Sequence, residues 1–238
     1  MIKAIAWLAM ATWCMQLQAL ELTSRNVDLQ GPITLASVRK VVDKLIEFNS
    51  ISHDPIFLRI NSSGGSVSAG FILIDTLRAL DSPVYALVES QAYSMAAIIA
   101  VFCEKRYMLP HATIMFHEVS YSALGEDPSI RSRVDFNIRY IDQIHREIAT
   151  ALRISHVDYR QKIRDGWWLL ADEAKKAGVV DEVVTHITFR ELFVERIEIK
   201  KTITQVQQKQ VFPPKFKPDK PKKPDKTRPD RTTKPTEE

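Results

Sequence analysis

Short apolar runs alternate with amphipathic stretches through most of the chain. Several runs are strand-like and bounded by turn residues: 26–30, 55–61, 84–89, 106–110 and 112–116. The stretches between and after them repeat apolar residues at helical spacing: 34–48, 66–80, 94–102 and 128–152. Strands that alternate with helices predict an α/β domain with much parallel strand pairing.

The N-terminal residues form a separate apolar segment. Lys3 precedes an apolar run from Ala4 to Leu20, and Leu17-Gln18-Ala19 resembles a signal-peptidase cleavage site. We therefore expect residues 1–20 to be a signal peptide or, alternatively, an uncleaved membrane anchor. Both alternatives predict an exported protein, periplasmic or otherwise extracytoplasmic.

The C-terminal segment 207–238 differs again in composition. It holds seven of the 12 prolines, ten Lys or Arg residues and five Asp or Glu residues, so the chain's net charge of +4 resides in it. Such a segment cannot bury apolar surface, and we expect a basic disordered tail, joined by a connecting segment at 191–206 to a domain at 21–190. The interleaved acids argue against specific nucleic-acid binding.

The cysteines exclude several classes of site. The chain contains Cys14 and Cys103, and removal of the leader would leave a single thiol. No intrachain disulfide framework follows from this, and neither cysteine has the spacing of a zinc site. The sequence indicates no cofactor and no metal.

Some of the junctions between these runs hold residues that could take part in catalysis. Gly64-Gly65 follows a buried strand, where backbone N–H groups can approach a ligand oxygen, although the pair alone is a weak signal that a tight strand-to-helix turn explains better. Ser94 opens an apolar helix, a place typical of an N-cap but also of a nucleophile. His117 follows a strand-like run and is the candidate base for such a serine, with His111 as a rival.

In combination, these motifs resemble the proteolytic subunit of the Clp protease, a serine peptidase of the Clp/crotonase superfamily. The resemblance runs from Leu29 to Val184 and is carried by "INSSGGSVSAGFILIDTL", "SQAYSMAA", "IMFHEVS" and "LADEAKKAGVVDEVV", in that order. It implies the family's α/β fold, a ββα superhelix with a protruding handle helix, here Pro128 to Leu152. It also implies a homo-oligomer of stacked seven-membered rings.

The resemblance implies a serine endopeptidase acting on peptides or unfolded polypeptides. His117 would deprotonate Ser94 for attack on a peptide carbonyl, and an aspartate would orient the imidazole. The N–H groups of Gly65 and Met95 would hold the oxyanion. No cofactor is implied.

The sequence departs from the family's pattern at several positions. Asp165 is the predicted aspartate, although the segment from it to Ala171 is one residue longer than usual; Asp158 and Asp172 are weaker rivals. The remaining departures lie close to the predicted catalytic residues: Ser63, Tyr93, Glu118 and Val119.

The N-terminal part of the chain affects which partner proteins we expect. The segment after the apolar leader shows little of the family's axial-loop region, and an export signal would separate the protein from a cytosolic ATP-driven unfoldase. We therefore predict an ATP-independent, extracytoplasmic peptidase for which such a partner is not expected.

Other functions remain open. A crotonase-type acyl-coenzyme A enzyme shares the fold but needs no Ser–His pair. A peptidase of the signal-peptide-peptidase A type uses a Ser–Lys dyad, for which Lys105 is the nearby lysine. A catalytically weak or inactive Clp-like ring would act as a scaffold, and the bulky Tyr93 beside Ser94 favours that alternative.

Overall fold

A computed structural model describes residues 19–122 and 124–191. The predicted leader, apart from its last two residues, and the predicted tail lie outside the described residues, so both stay predictions. Leu20, which closed the predicted leader, belongs to a strand and is buried. Within the described ranges, no helix is long and apolar enough to cross a membrane.

The strands are β1 (Leu20–Thr23), β2 (Asn26–Gln30), β3 (Ile56–Ser62), β4 (Val84–Tyr93), β5 (Lys105–Met108), β6 (Thr113–Phe116), β7 (Trp167–Leu170), β8 (Glu182–Val183) and β9 (Ile187–Arg190). The helices are α1 (Leu35–Ile51), α2 (Val67–Ala79), α3 (Met95–Val101), α4 (Asp127–Ala151), α5 (His156–Ile163) and α6 (Ala171–Lys176). Each run predicted from the hydrophobic pattern is present. The pattern missed β1, β7, β8, β9, α5 and α6, which are too short to show a period.

The strands form one large sheet and one small one. β2, β3, β4, β5 and β8 pair in parallel in that order. The ten-residue β4 is shared, because its first half pairs with β5 and its last residues pair in parallel with β6. β7 pairs antiparallel with β6, and β1 pairs with β9 in the small sheet. The predicted α/β class is confirmed.

The main core contains residues of the large sheet and of the six helices named above. Helix α3 is apolar on every side, and all seven of its residues are buried. It packs against β4 and α2, so the turn that joins β4 to α3 is held between a sheet and two helices. A smaller core on the other face of the sheet contains Leu20, Phe57, Leu87 and Val184.

Helix α4 is partly outside the core. Its buried residues, Ile144, His145, Ile148 and Ala149, all lie in the C-terminal half. In the N-terminal half, Phe136 and Ile138 are 56% and 59% exposed. A helix of 25 residues is about 37 Å long at about 1.5 Å per residue. The N-terminal half therefore extends away from the core with an apolar stripe exposed, as a handle helix does.

The buried Arg25 side chain hydrogen-bonds to loops at the end of the sheet where β4 begins. The Arg25 side chain donates to the carbonyl oxygens of Phe48, Ser52 and Asp54, each at 2.9 Å, and to Ser82 Oγ at 3.2 Å. Arg25 is 3% exposed. These bonds compensate the burial of the guanidinium and hold the end of α1 against the start of β4.

Candidate active site

Ser94 has a strained backbone. Its φ of 54° and ψ of −122° make it one of two non-glycine residues with positive φ in the described part of the chain. Such a conformation costs about 1–3 kcal/mol and persists only where the surroundings hold it. The Ser94 N–H donates to the carbonyl of Met115 at 2.8 Å. The Ser94 hydroxyl makes no capping hydrogen bond to α3, so it does not act as an N-cap.

Gly64 packs against the turn that contains Ser94. A Cβ on Gly64 would lie 2.6 Å from the Tyr93 carbonyl oxygen, 2.8 Å from Ser94 Cβ and 3.1 Å from the Met95 nitrogen. Gly64 also has a φ of +91°, which side chains disfavour. Only glycine fits at this position, so the glycine pair and the serine form one structural unit.

Two backbone N–H groups beside Ser94 have no acceptor within the described residues. Ile33 donates to the Gly64 carbonyl and accepts from Ser66 N, both at 2.9 Å, which leaves the Gly65 N–H between them unused. Met95 is the first residue of α3, where an N–H has no partner inside the helix. Free N–H groups next to a serine are the arrangement that an oxyanion site needs.

Strand pairing brings His117 to the end of β4 that carries Ser94. Tyr93, the last residue of β4, pairs with Met115, so Ser94, the next residue in the chain, is level with Phe116, and His117 follows directly. His117 is half-buried at this point. The serine and the histidine, which are distant in sequence, therefore lie at the same end of two adjacent parallel strands.

The same register separates the rival residues from Ser94. His111 lies in the turn before β6, whose first residue, Thr113, is already three positions or about 10 Å before Phe116 at about 3.3 Å per residue. Lys105 pairs with Tyr85, nine positions before Ser94 and therefore about 30 Å away. The structure thus brings neither His111 nor Lys105 to the serine, which argues against the Ser–Lys alternative.

Asp165 lies near the start of β7, the strand that pairs with β6, but its side chain does not reach the His117 imidazole. Phe116 pairs with Trp167 in the antiparallel β6–β7 pair, and continuing this register places Gly166 opposite His117 and Asp165 one residue further. The Asp165 side chain is 80% exposed and accepts from the guanidinium of the adjacent Arg164 at 3.0 Å. A Cβ at Gly166 would lie 3.1 Å from Nε1 of the Trp168 indole.

The other two candidate aspartates, Asp158 and Asp172, have structural roles at the starts of helices. Asp158 accepts from Ser155 Oγ at 2.7 Å, and its N–H donates to the same oxygen at 3.0 Å, so the two residues cap the start of α5. Asp172 lies in the first turn of α6, where a negative charge interacts favourably with the helix. Neither contact involves His117.

An aromatic pair lies on the face of β6 that carries His117. Ile114 and Phe116 point into the core, so Met115 and His117 lie on the opposite face. Tyr93 and Trp168 pair with Met115 from the two adjacent strands, and their rings are 5.1 Å apart in a T-shaped contact. The Tyr93 hydroxyl is 2.7 Å from Thr113 Oγ1. The Tyr93 side chain thus packs beside the site and does not occupy the turn at Ser94.

Sequence reasoning missed the contacts of Glu118, the residue that follows His117. Glu118 Oε1 accepts from Arg160 Nε at 3.1 Å, and Glu118 Oε2 lies 3.8 Å from His145 Nε2. Burial lowers the pKa of His145 below its usual value, partly offset by Glu118. No local pattern could reveal this cluster, because its members come from the end of β6, α4 and α5.

The Clp protease family model matches residues 11–187. The chain belongs to the Clp protease family. The ATP-dependent Clp protease proteolytic subunit 1 of Rhodopirellula baltica is 31% identical over 173 residues, which cover 71% of this chain and 76% of that protein.

Two further members of the Clp family show similar identity. The ATP-dependent Clp protease proteolytic subunit 1 of Chlamydia caviae is 30% identical over 171 residues, or 68% of this chain and 88% of that protein. The ATP-dependent Clp protease proteolytic subunit of Bacteroides thetaiotaomicron is 35% identical over 135 residues, 54% of this chain. The match spans 60% of the Bacteroides protein, less than two thirds of its length. The Clp family consists of serine-type peptidases that act on protein substrates and generally form oligomeric rings.

Proposed function

We propose that this Clp family member is a serine endopeptidase that hydrolyses peptides or unfolded polypeptides with Ser94 as nucleophile. The observation that carries the proposal is the strained turn at Ser94, with a hydroxyl that caps nothing and free N–H groups at Gly65 and Met95. A serine with a purely structural role in a helix start would use its oxygen as a cap and would not need a positive φ.

The proposed mechanism uses four groups of the site. His117 takes the proton of the Ser94 hydroxyl as Oγ attacks the peptide carbonyl carbon, and the N–H groups of Gly65 and Met95 donate to the oxyanion. The imidazolium then returns the proton to the leaving amine, and water repeats the sequence on the acyl-enzyme. Removing one oxyanion donor raises the barrier by about 3–4 kcal/mol.

Asp165 is the proposed third member of the triad. Its support is the β6–β7 register, which puts its backbone beside the strand end that carries His117. Its carboxylate must leave Arg164 and turn toward the imidazole to act. Exchange of Asp165 for Asn should therefore lower kcat by up to about 10⁴-fold, while the same exchange at Asp158 should affect only stability. Equal kcat losses in the two variants would refute the assignment.

Location, energy dependence and assembly are further parts of the proposal. The apolar leader at 1–20 supports an extracytoplasmic peptidase that needs no ATP-driven unfoldase. The exposed apolar stripe on α4 supports self-association into rings. N-terminal sequencing of the mature protein tests the first point, with a first residue expected directly after the leader, at Leu20 or Glu21. Casein hydrolysis without ATP tests the second, and native mass measurement tests the third.

A fluorophosphonate probe tests the central claim, because it reacts covalently with activated serines. The wild-type protein should be labelled, whereas Ser94→Ala should not be, and His117→Ala should label at least about 100-fold more slowly, since general-base catalysis contributes about 10²–10⁴-fold. Ser90→Ala, which changes an exposed serine on the same strand, is the matched control. Labelling that persists in Ser94→Ala would show that the nucleophile is wrongly assigned.

A catalytically inactive scaffold is the second candidate function. Two observations favour it: the Asp165 carboxylate faces solvent, and the residue opposite His117 is a glycine. A protein that assembles into a ring but is not labelled at Ser94 would be such a scaffold. Labelling at Ser94 together with peptide hydrolysis would exclude it.

A further inference from the structure

The two residues that flank His117 in the chain are both held by helices that contribute nothing else to the site. From this geometry we propose that Glu118 is a positioning residue: its attachment to α4 and α5 holds the His117 imidazole at Ser94. The inference rests on the proposed function, since it assumes that His117 is the base. It adds a residue to which the catalytic geometry assigns no role.

The residue before His117 is anchored by packing. Phe116 is 1% exposed, and its ring lies 5.5 Å from the Trp167 ring and 6.4 Å from the Tyr159 ring. Tyr159 in turn contacts the ring of His145 at 5.6 Å. The last residue of β6 is therefore locked into the core between β7, α5 and α4.

The residue after His117 is anchored by polar contacts of its side chain. Glu118 Oε1 accepts from Arg160 of α5 at 3.1 Å, and Glu118 Oε2 lies 3.8 Å from Nε2 of the buried His145 of α4. One carboxylate thus contacts two helices at once. Asp142 and His156 are the other titratable groups near this cluster, and they pair with each other at 3.3 Å.

This anchor matters because the sheet ends before His117. The β6–β7 pairing stops at Phe116 and Trp167, so no strand pairing supports the imidazole. Between residues 117 and 122, the structure records hydrogen bonds and ion pairs at the Glu118 side chain alone. The direction in which the chain leaves β6, and with it the direction of the His117 side chain, depends on this one attachment.

Loss of the anchor should weaken proton transfer without affecting substrate binding. A displacement of about 1 Å in a reacting group lowers the rate by about 100-fold. Glu118 and Arg160 are 37% and 43% exposed, so water replaces part of a lost contact. We therefore expect kcat to fall by about 10-fold with KM within about twofold of wild type, as for misplacement of a catalytic group.

Three substitutions separate positioning from a direct effect of charge on His117. Glu118→Ala removes the acceptor, and Arg160→Ala removes the donor but keeps the carboxylate. Glu118→Gln removes the charge but keeps an oxygen that accepts from Arg160. Positioning predicts about 10-fold lower kcat in both alanine variants, no further loss in the double variant, and kcat within about threefold of wild type in Glu118→Gln.

Glu147→Ala is the matched control. Glu147 also lies on α4 and pairs with an arginine of another helix, Arg78 of α2, at 2.9 Å with exposures of 33% and 48%. It does not contact the segment at His117. Its loss should lower the thermal midpoint by as much as Glu118→Ala does, while kcat is retained.

The outcomes distinguish this inference from the proposed function. If Glu118→Gln loses as much kcat as Glu118→Ala while Arg160→Ala loses none, the carboxylate acts by charge and the inference fails. If the wild type is not labelled at Ser94, the proposed function fails. Hydrogen exchange of the peptide spanning 115–122 then still decides the inference: faster exchange in both alanine variants than in Glu147→Ala supports the anchor, and unchanged exchange overturns it.

Discussion

Substitution of Gly64 by alanine tests whether the glycine pair supports the nucleophile turn. The added Cβ would lie 2.6 Å from the Tyr93 carbonyl oxygen, 2.8 Å from Ser94 Cβ and 3.1 Å from the Met95 nitrogen. Two of these atoms belong to backbone, which cannot rotate out of the way. The turn must therefore move, and the Ser94 hydroxyl and the Met95 N–H move with it.

The effect on stability has two components. Alanine at the φ of Gly64, +91°, costs about 1–3 kcal/mol in backbone strain. The steric overlap adds about 1–3 kcal/mol. A domain with about 5–15 kcal/mol of stability remains folded under this load, so the variant can be assayed. A shift of about 1 Å at the turn should lower the rate of Ser94 labelling about 100-fold.

Gly178→Ala is the matched control for the backbone component. Gly178 has a φ of +70°, and a Cβ there would meet nothing within 4 Å. It should lose only the strain component in urea denaturation and should label at the wild-type rate. Equal stability losses in the two variants, or wild-type labelling of Gly64→Ala, would refute the steric argument.

Other properties of the fold follow from the same contacts. Arg25→Met removes a buried donor from three carbonyl oxygens and a hydroxyl, although the Phe48 and Ser52 oxygens keep a second donor, Ser52 N and Ser82 Oγ. It should lower the free energy of unfolding by about 1–3 kcal/mol in urea titration; an unchanged free energy of unfolding would contradict this role. Because burial lowers the pKa of His145, the unfolded chain binds its proton first, so stability should fall as pH drops below about 6.5 by at most about 1.4 kcal/mol per pH unit. Urea titrations at pH 7.5 and 5.5 should show a smaller fall for His145→Leu, and equal falls would argue against this linkage. Burial raises the pKa of the Cys103 thiol to about 12, so in a Cys14→Ser background a thiol reagent should react only after unfolding, and reaction with the native protein would disprove its burial.

The larger helices and strands and the nucleophile motif could be predicted from the sequence. Period and turn residues were enough for α1, α2, α4 and β3, because a buried face imposes its spacing on the chain. The motif around Ser94 also came from sequence, together with its distance from Gly64-Gly65. These are local properties, which a single chain segment expresses on its own.

The extent of β4 shows where local reasoning stopped. The predicted strand ended at Glu89, yet β4 continues to Tyr93 because its last residues gain a new partner in β6. The strand β7 was likewise missed. Its four residues have no period to detect, and it exists through pairing with β6.

The sequence by itself thus determined the α/β class, the order of most elements and the candidate pair Ser94 and His117. Tertiary structure decided the rest. It showed that Ser94 is strained and not a cap, that Lys105 and His111 lie away from it, and that Asp165 faces solvent. It also joined Glu118 to two helices. Those facts depend on strand register and on contacts between distant segments, and no window of the sequence contains both partners of such a contact.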